Sequence, residues 1–333
     1  MDPVSQAVVG AIVPQSAAKP KQIIAAGLIG ALAGMAPDLD VLIRSNSDPL
    51  LFLEYHRQFS HSLIFIPVGG LIMALLLHPL FGRRSDMTFR QTLLFATLGF
   101  ATHGLLDACT TYGTQLLWPF SNERISWNTI GIIDPLFTLP LVGLTLGAAI
   151  SRNPKWARIA IAWALVYLVL GVVQRERAEE LAHHEAALRG HVPVQLSAKP
   201  TIGNLWLWKT VYEFDGQFYI DSAHLGFNQR WYPGESIQRL TAEQIPECLS
   251  EASQQRRDIA RFNWFSQSFT AVQSQPELRV IDVRYSMVPN QIEPLWGINL
   301  NCDASEDSHV EYFTSRNLSN ETKAEFIRQL LGD

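Results

Sequence analysis

The chain has 333 residues, of which 47% are hydrophobic and only 17% charged, against about 25% charged in a typical soluble domain. This balance excludes intrinsic disorder and a coiled coil. A net charge of −5 argues against a nucleic-acid binder, which carries a basic patch, and three cysteines are too few for a disulfide-rich scaffold.

Apolar residues are concentrated in the first half of the chain, in five runs. With its flanks, each run approaches the roughly 17–25 residues that cross a bilayer. Small residues recur inside the runs, which suits close packing of helices in lipid. The alternative is a set of buried helices in a soluble protein, which would require a very large core. The runs are residues 23–35, 63–77, 91–101, 135–150 and 160–173, and a shorter segment at 4–13 is predicted to be a helix that leans into the bundle.

The sequence changes character after residue 173. A charged stretch at 174–190 is predicted to continue the last apolar helix as a linker. Farther on, Asp215-Gly216 separates two strand-like runs and predicts a β-hairpin, because this pair accepts the positive φ angles of a tight turn. The predicted strands are 205–214, 217–222, 277–287 and 296–301, and the predicted helices are 241–262 and 321–331.

These elements predict two domains. Residues 1–175 form an α-helical membrane bundle of about five long transmembrane helices, with a short helix before them. Residues 176–333 form a soluble α+β domain, which the chain enters through the linker helix at 174–190.

The orientation of the bundle is predicted from the basic residues in its loops, because such residues stay on the cytoplasmic side. One face receives eight of them and the other face three. The second face, with the C-terminal domain, is therefore predicted to lie outside the cytoplasm, where Cys248 and Cys302 could pair. The eight are Lys19, Lys21, Arg83, Arg84, Arg90, Arg152, Lys155 and Arg158, and the three are Arg44, Arg57 and Arg124.

Aspartate and histidine residues converge on that outer face from four separate segments. Ionisable side chains at membrane depth are costly and usually functional. Singly, an aspartate after a proline is typically a turn or cap residue, and a lone histidine is a hydrogen-bonded polar residue. Convergence is what predicts a site. The residues are Asp38, Asp40, His56, His61, His103, Asp107 and Asp134, whereas His78 falls at the opposite end of its run and is assigned no role.

The spacing of His103 and Asp107 indicates a metal site. Four residues apart, they share one face of a helix. An imidazole and a carboxylate in this arrangement can both coordinate the same Zn²⁺ or Mn²⁺ ion. We therefore predict one or two divalent ions, zinc before others. The predicted ligands are Asp38, His56, His61, His103 and Asp107, with His56 either a ligand or a support for one.

Four further residues are predicted to take part in catalysis. Asp40 or Asp134 could serve as the base for a metal-activated water. Arg57, together with Arg124, could stabilise the charge of a phosphoester, because a guanidinium presents a bidentate fork to phosphate oxygens. Contact of both arginines with lipid headgroups is the alternative.

Several motifs support these assignments by resemblance. They are Met1-Asp2-Pro3, Met35-Ala36-Pro37-Asp38-Leu39-Asp40, His56-Arg57-Gln58-Phe59-Ser60-His61-Ser62, His103-Gly104-Leu105-Leu106-Asp107 and Gly113-Thr114-Gln115-Leu116-Leu117-Trp118-Pro119-Phe120. Together they resemble the YdjM/YbcI-like inner-membrane proteins, which are predicted metal-dependent hydrolases. The resemblance covers roughly residues 1–175. The motif order is also similar, more distantly, to the zinc phospholipase C and P1-nuclease pattern, which implies phosphoester hydrolysis. Many family members have a histidine near the start, where this chain has Gln6.

The sequence thus predicts a multi-pass inner-membrane metallohydrolase that acts on a phosphoester or lipid-like substrate. Membrane lipids are its expected partners, and nucleic acid is not expected. A non-catalytic, metal-stabilised scaffold whose outer domain binds a partner is the main alternative. A transporter is the weaker one, because the ionisable residues gather on one face and form no path across the membrane.

Overall fold

A computed structural model describes residues 1–274, 278–316 and 319–333. The chain divides into two compact units. The first comprises Met1–Leu42, Tyr55–Val172 and Ile202–Asn204, and the second comprises Ile43–Glu54, Val173–Thr201 and Leu205–Asp333. The loop between the predicted site residues Asp40 and His56 therefore belongs mainly to the second unit.

The first unit is helical. Proline at the first helical position and a capping aspartate begin two of its helices, at Asp2-Pro3 and Asp134-Pro135, and a capping box of Thr88 and Gln91 begins a third. The helices are α1 (Pro3–Ala17), α2 (Ile23–Met35), α3 (Leu51–Tyr55, mostly in the second unit), α4 (Ile66–Leu77), α5 (Phe89–Ala108), α6 (Pro135–Ser151) and α7 (Pro154–Leu188), the last of which continues into the second unit.

Among the residues that the structure describes, three helical segments are long and apolar enough to cross a membrane. They are Pro20–Leu42, Leu63–Ser85 and Pro154–Leu188, and α6 is a shorter apolar helix. The membrane bundle predicted from sequence is thus confirmed in its coarse form. The figure of five spans, which adds α5 and α6, stays a prediction.

Glycines let α1, α2 and α5 approach at backbone distance. A Cβ atom on Gly30 would lie 2.3 Å from the carbonyl oxygen of Gly10, and one on Gly99 would lie 2.3 Å from that of Gly30. Such contact suits helix packing where hydrophobic burial gives little advantage. It also fixes the C-terminal ends of α2 and α5 against each other, and both ends carry predicted ligands.

We expect Gly30→Ala to lower the free energy of unfolding by about 1–3 kcal/mol, because its methyl group would meet backbone rather than a movable side chain. Thermal unfolding of the detergent-solubilised protein measures this. Gly143→Ala in α6 is the matched control, since a Cβ there has no atom within 4 Å. Equal melting temperatures for the two variants would contradict the close approach.

In the described part of the second unit there are two four-stranded antiparallel sheets, each with its strands in chain order. The predicted hairpin is confirmed: Phe214 pairs with Gln217, and Asp215 and Gly216 have φ of 49° and 70°. The first sheet holds β1 (Gln195–Pro200), β2 (Leu207–Phe214), β3 (Gln217–Leu225) and β4 (Gln229–Gln238), and the second holds β5 (Thr270–Gln273), β6 (Arg279–Asp282), β7 (Trp296–Asn299) and β8 (Glu311–Thr314).

The helices of the second unit differ from prediction in one place. The helix predicted at 241–262 was wrong in its first half, where a short 3-10 turn, Ala242–Gln244, precedes Pro246 and the α-helix α8 runs over Gln254–Phe265. Proline lacks the amide hydrogen that a continuing helix requires. The last helix, α9, spans Asn320–Leu331 as predicted. Of the strand predicted at 277–287, residue 277 lies outside the described residues, Arg279–Asp282 forms β6, and the prediction was wrong beyond Asp282, where the chain turns.

A disulfide joins Cys248 to Cys302, with the two Cα atoms 5.5 Å apart. The sequence allows this pair on the condition that the domain lies outside the cytoplasm. Cys109 is a free, buried thiol. The disulfide closes a loop across a sequence separation of 54 residues within the second unit.

Candidate metal centre

Four side chains from three parts of the first unit converge on one point. Asp38 lies in a 3-10 segment, Ala36–Leu42, that continues α2, and His61 ends the 3-10 turn Phe59–His61. His103 and Asp107 occupy the last turns of α5. One ligand atom from each of the four lies within 4.8 Å of the others. His61, His103 and Asp107 are fully or almost fully buried.

The spacing of these atoms fits a tetrahedral metal ion. Nε2 of His61 lies 2.9 Å from Nε2 of His103, 3.6 Å from Asp38 Oδ1 and 3.3 Å from Asp107 Oδ2. Nε2 of His103 lies 3.3 Å from Asp38 Oδ1 and 3.8 Å from Asp107 Oδ2. Metal bonds of 2.0–2.2 Å in a tetrahedron put neighbouring ligand atoms roughly 3.3–3.6 Å apart. The observed distances of 2.9–3.8 Å bracket this range, so the four residues could hold one ion after small side-chain shifts.

Hydrogen bonds at the far side of each imidazole orient both histidines for this task. Nδ1 of His103 lies 2.5 Å from the carbonyl oxygen of Gly34, which can only accept, so Nδ1 carries the proton. Nδ1 of His61 lies 3.2 Å from Asp40 Oδ2 and 3.0 Å from Ser60 Oγ. Because Ser60 donates its own proton to Asp40, it accepts from His61. Both Nε2 atoms are left to bind a metal.

Asp40 lies on the Nδ1 side of His61, away from the candidate metal position, and accepts several hydrogen bonds. Its carboxylate accepts hydrogen bonds from Nδ1 of His56 at 2.7 Å, from the backbone amide of Arg57 at 3.0 Å and from Ser60 Oγ at 2.8 Å. With Asp38, Asp40 and His56 also form a second group whose ligand atoms lie within 4.8 Å of one another. The structure thus brings all five predicted ligands together with Asp40, in two groups that share Asp38.

Arg57 and Asp107 form a buried ion pair beside the candidate ligands. Nε of Arg57 lies 2.9 Å from Asp107 Oδ2, and Nη1 donates to Thr110 Oγ1 at 2.9 Å. The guanidinium carbon lies 4.9 Å from the ring centre of Tyr112. Arg57 has a φ of 66°, a left-handed conformation that is uncommon outside glycine and typical of functional sites.

The other oxygen of Asp107 is also occupied. Gln6 Nε2 donates to Oδ1 at 2.9 Å, and the Met1 amino group donates to the same atom. Asp107 Oδ2 is buried and lies 2.9 Å from Nε of Arg57, but it accepts no hydrogen bond of regular geometry from any residue that the structure describes. An oxygen of that kind, facing two imidazole nitrogens, fits a metal ligand.

The remaining predicted residues belong to neither group of candidate ligands. Asp134 caps α6 by accepting from the amides of Leu136 and Phe137, and Tyr167 donates to its other oxygen at 2.7 Å. Arg124 donates to the carbonyl oxygen of Gly113 at 3.0 Å. His78, the residue given no role, contacts Thr92 Oγ1 at 2.9 Å.

The sequence reasoning did not single out Ser60 or Thr110. Ser60 links His61 to Asp40, and Thr110 contacts Arg57. Ser60 lies within the quoted stretch His56–Ser62, so its position between His56 and His61 was the available signal. Thr110 has no such signal, because only the turn after α5 brings it to the guanidinium.

Comparisons with known proteins agree with the predicted resemblance. The sequence profile of the YdjM inner membrane protein family matches residues 1–178, more than half of the chain and all of the candidate centre. The uncharacterized protein YfhP of Bacillus subtilis (strain 168) is 24% identical over 272 residues, which cover 78% of this chain and 77% of YfhP. The inner membrane protein YbcI of Escherichia coli (strain K12) is 36% identical over 121 residues, which cover 34% of this chain and 64% of YbcI. No solved structure matches.

Proposed function

We propose that this chain, which belongs to the YdjM inner membrane protein family, is a membrane-bound, metal-dependent hydrolase of a phosphoester or lipid-like substrate. The observation that supports this most is the donor set of Asp38, His61, His103 and Asp107, whose spacing suits a single tetrahedral ion. Zinc is the ion that such nitrogen and oxygen ligands favour. The group of Asp38, Asp40 and His56 is the place for a second ion.

Exposure indicates how a substrate would reach the centre. The side chain of Asp38 is 31% exposed, whereas those of His61, His103 and Asp107 have no exposed surface. Water and substrate would therefore arrive on the side of Asp38. A bound metal supplies a water of lowered pKa and polarises the scissile bond.

The chain's own residues would position that chemistry. Ser60, which itself donates to Asp40, accepts the Nδ1 proton of His61, and the Gly34 carbonyl accepts that of His103, so both rings keep Nε2 toward the metal. Arg57 holds Asp107 in place and adds positive charge where a phosphate would bind. Asp40 remains the proposed base for the attacking water. Asp134, the other candidate from the sequence, caps α6 and belongs to neither ligand group.

We propose that the centre and the second unit lie outside the cytoplasm. The excess of basic loop residues on the opposite face supports this, as does the disulfide between Cys248 and Cys302, since disulfides persist in oxidising compartments. A reporter that is active only in the cytoplasm should stay silent when fused after Asp333. A strong signal would reverse the orientation.

Metal analysis and an activity screen on the purified chain test the function together. The protein would be freed of metal with a chelator, reloaded with zinc, and assayed against phosphomonoesters, phosphodiesters and phospholipid vesicles. Turnover that disappears with the chelator and returns with zinc is expected. Stoichiometric zinc without turnover of any of these substrates would instead favour the metal-stabilised scaffold.

We expect Asp40→Asn to weaken metal binding by about 10–100-fold, because the residue behind a ligating histidine raises its basicity and fixes its ring. Asp134→Asn is the matched control. Asparagine caps a helix as well as aspartate does, and Asp134 lies outside both ligand groups. Metal content after equilibration with chelators of graded strength measures the difference. Equal affinities for the two variants would contradict the role given to Asp40.

A further inference from the structure

The apolar part of α7 ends abruptly. Between Ile159 and Val173 the helix carries no charged residue, and it lies within a segment long and apolar enough to span a membrane. Gln174 follows, and then Arg175 and Glu176. Along this helix, the boundary between hydrocarbon and headgroups is thus expected at Gln174.

Gln174 forms hydrogen bonds with one end of the first sheet of the second unit, so this end lies near the expected boundary between hydrocarbon and headgroups. Its side-chain amide donates to the carbonyl oxygens of Leu205 at 2.8 Å and of Leu225 at 3.1 Å. Leu205 precedes β2, and Leu225 ends β3. The amide of Leu225 donates to the carbonyl oxygen of Trp206 at 2.6 Å, so all three lie at the same end of the sheet.

Two aromatic side chains project from this end. Phe227, in the turn between β3 and β4, is fully exposed, and Trp206 is 44% exposed. Arg230, at the start of β4, is exposed beside them and pairs in register with His224. We refer to Trp206, Phe227 and Arg230 as the aromatic edge. Tryptophan and phenylalanine next to a basic residue are typical of segments that lie in the headgroup layer.

We propose that the aromatic edge rests in the headgroup region of the bilayer and forms a second, non-spanning membrane contact of the C-terminal domain. Burial of Phe227 in the boundary between headgroups and acyl chains removes an exposed ring from water. Arg230 faces the phosphates, as basic residues at such surfaces do. This contact does not depend on the hydrolase activity or on which side of the membrane the domain lies.

The opposite end of the same sheet provides an internal control. The hairpin turn at Asp215-Gly216 joins the far ends of β2 and β3. A strand rises about 3.3 Å per residue, so the eight residues of β2 put this turn roughly 25 Å from the aromatic edge. A label at residue 215 should therefore remain in water.

Site-specific fluorescence on the full chain in phospholipid nanodiscs tests the proposal. Phe227→Cys and Asp215→Cys would each be made with Cys109→Ala, keeping the Cys248–Cys302 disulfide, and labelled with nitrobenzoxadiazole. The label at 227 should emit at shorter wavelength than the label at 215. It should also be quenched by lipids that carry a headgroup nitroxide and be shielded from iodide. Because Phe227 is fully exposed, its replacement leaves the fold intact.

Two outcomes would overturn the proposal. If iodide quenches the labels at 227 and 215 equally and nitroxide lipids quench neither, the edge lies in water. If the label at 227 is shielded from iodide but is not quenched by nitroxide lipids, protein rather than lipid covers it. Trp206→Cys, labelled in the same way, provides a second reading at the same end of the sheet and should behave like position 227.

Discussion

The His103→Ala variant should insert into the membrane and fold, but its affinity for zinc should fall by roughly 100-fold or more. This loss is larger than the one expected for Asp40→Asn, which changes a residue behind a ligand. His103 supplies one of four ligand atoms, and its Nε2 lies within 3.8 Å of the other three. Alanine is a strong helix former, so α5 should persist. Metal content after dialysis, measured by mass spectrometry, gives the result.

His78→Ala is the matched control for this loss. His78 also lies in a helical region of the first unit, and its Nδ1 contacts Thr92 Oγ1. It belongs to neither group of candidate ligands. Its replacement should leave metal content unchanged. A full complement of zinc in His103→Ala would remove the assignment of His103 as a ligand, and with it the tetrahedral centre.

Much of the candidate centre could be predicted from sequence because two simple rules apply. Residues four apart share a helix face, which placed His103 beside Asp107. Helices that cross and return bring the ends of distant segments to one side, which placed Asp38 near His61. The first rule requires only that the segment is helical, and the second requires only the spacing of the apolar runs, which is clear in the first half of the chain.

Roles within the centre depended on local backbone geometry that the sequence does not encode in a simple pattern. Asp40 and Asp38 are two residues apart, yet the 3-10 segment directs Asp38 to the two Nε2 atoms and Asp40 behind His61. Arg57 reaches Asp107 because its backbone is left-handed, and no glycine or asparagine at that position indicates this conformation in the sequence. These assignments required side-chain positions.

The second unit was predicted less completely, for a different reason. Strong turn chemistry at Asp215-Gly216 revealed β2 and β3, but β1 and β4 lack such a turn and were not predicted. Antiparallel sheets are specified by pairing between distant residues as much as by local propensity. The placement of the loop 43–54 in this unit follows from contacts such as those of Arg261 with Asp48 and Glu54, which no local pattern indicates.

Variants of the Arg57–Asp107 ion pair can show whether Asp107 is a metal ligand or only a structural carboxylate. If Asp107 is a ligand, zinc should stabilise the variant at Arg57 and not the variant at Asp107. Removing one partner of a buried pair costs about 3–5 kcal/mol when the other charge is left uncompensated. The Met1 amino group also contacts Asp107, so we expect the smaller loss in Arg57→Met. Both Arg57→Met and Asp107→Asn should therefore lower the melting temperature of the metal-free protein. Arg84→Met, at an exposed position, should not.

Zinc should then rescue only one of the two variants. In Arg57→Met the Asp107 carboxylate remains, and a bound cation compensates it. Zinc at 100 times its dissociation constant would restore about 2.7 kcal/mol. In Asp107→Asn a ligand is missing and Arg57 stays buried without its partner, so zinc should raise the melting temperature little or not at all. If zinc stabilises both variants equally, Asp107 serves only to neutralise Arg57, and the metal is bound elsewhere.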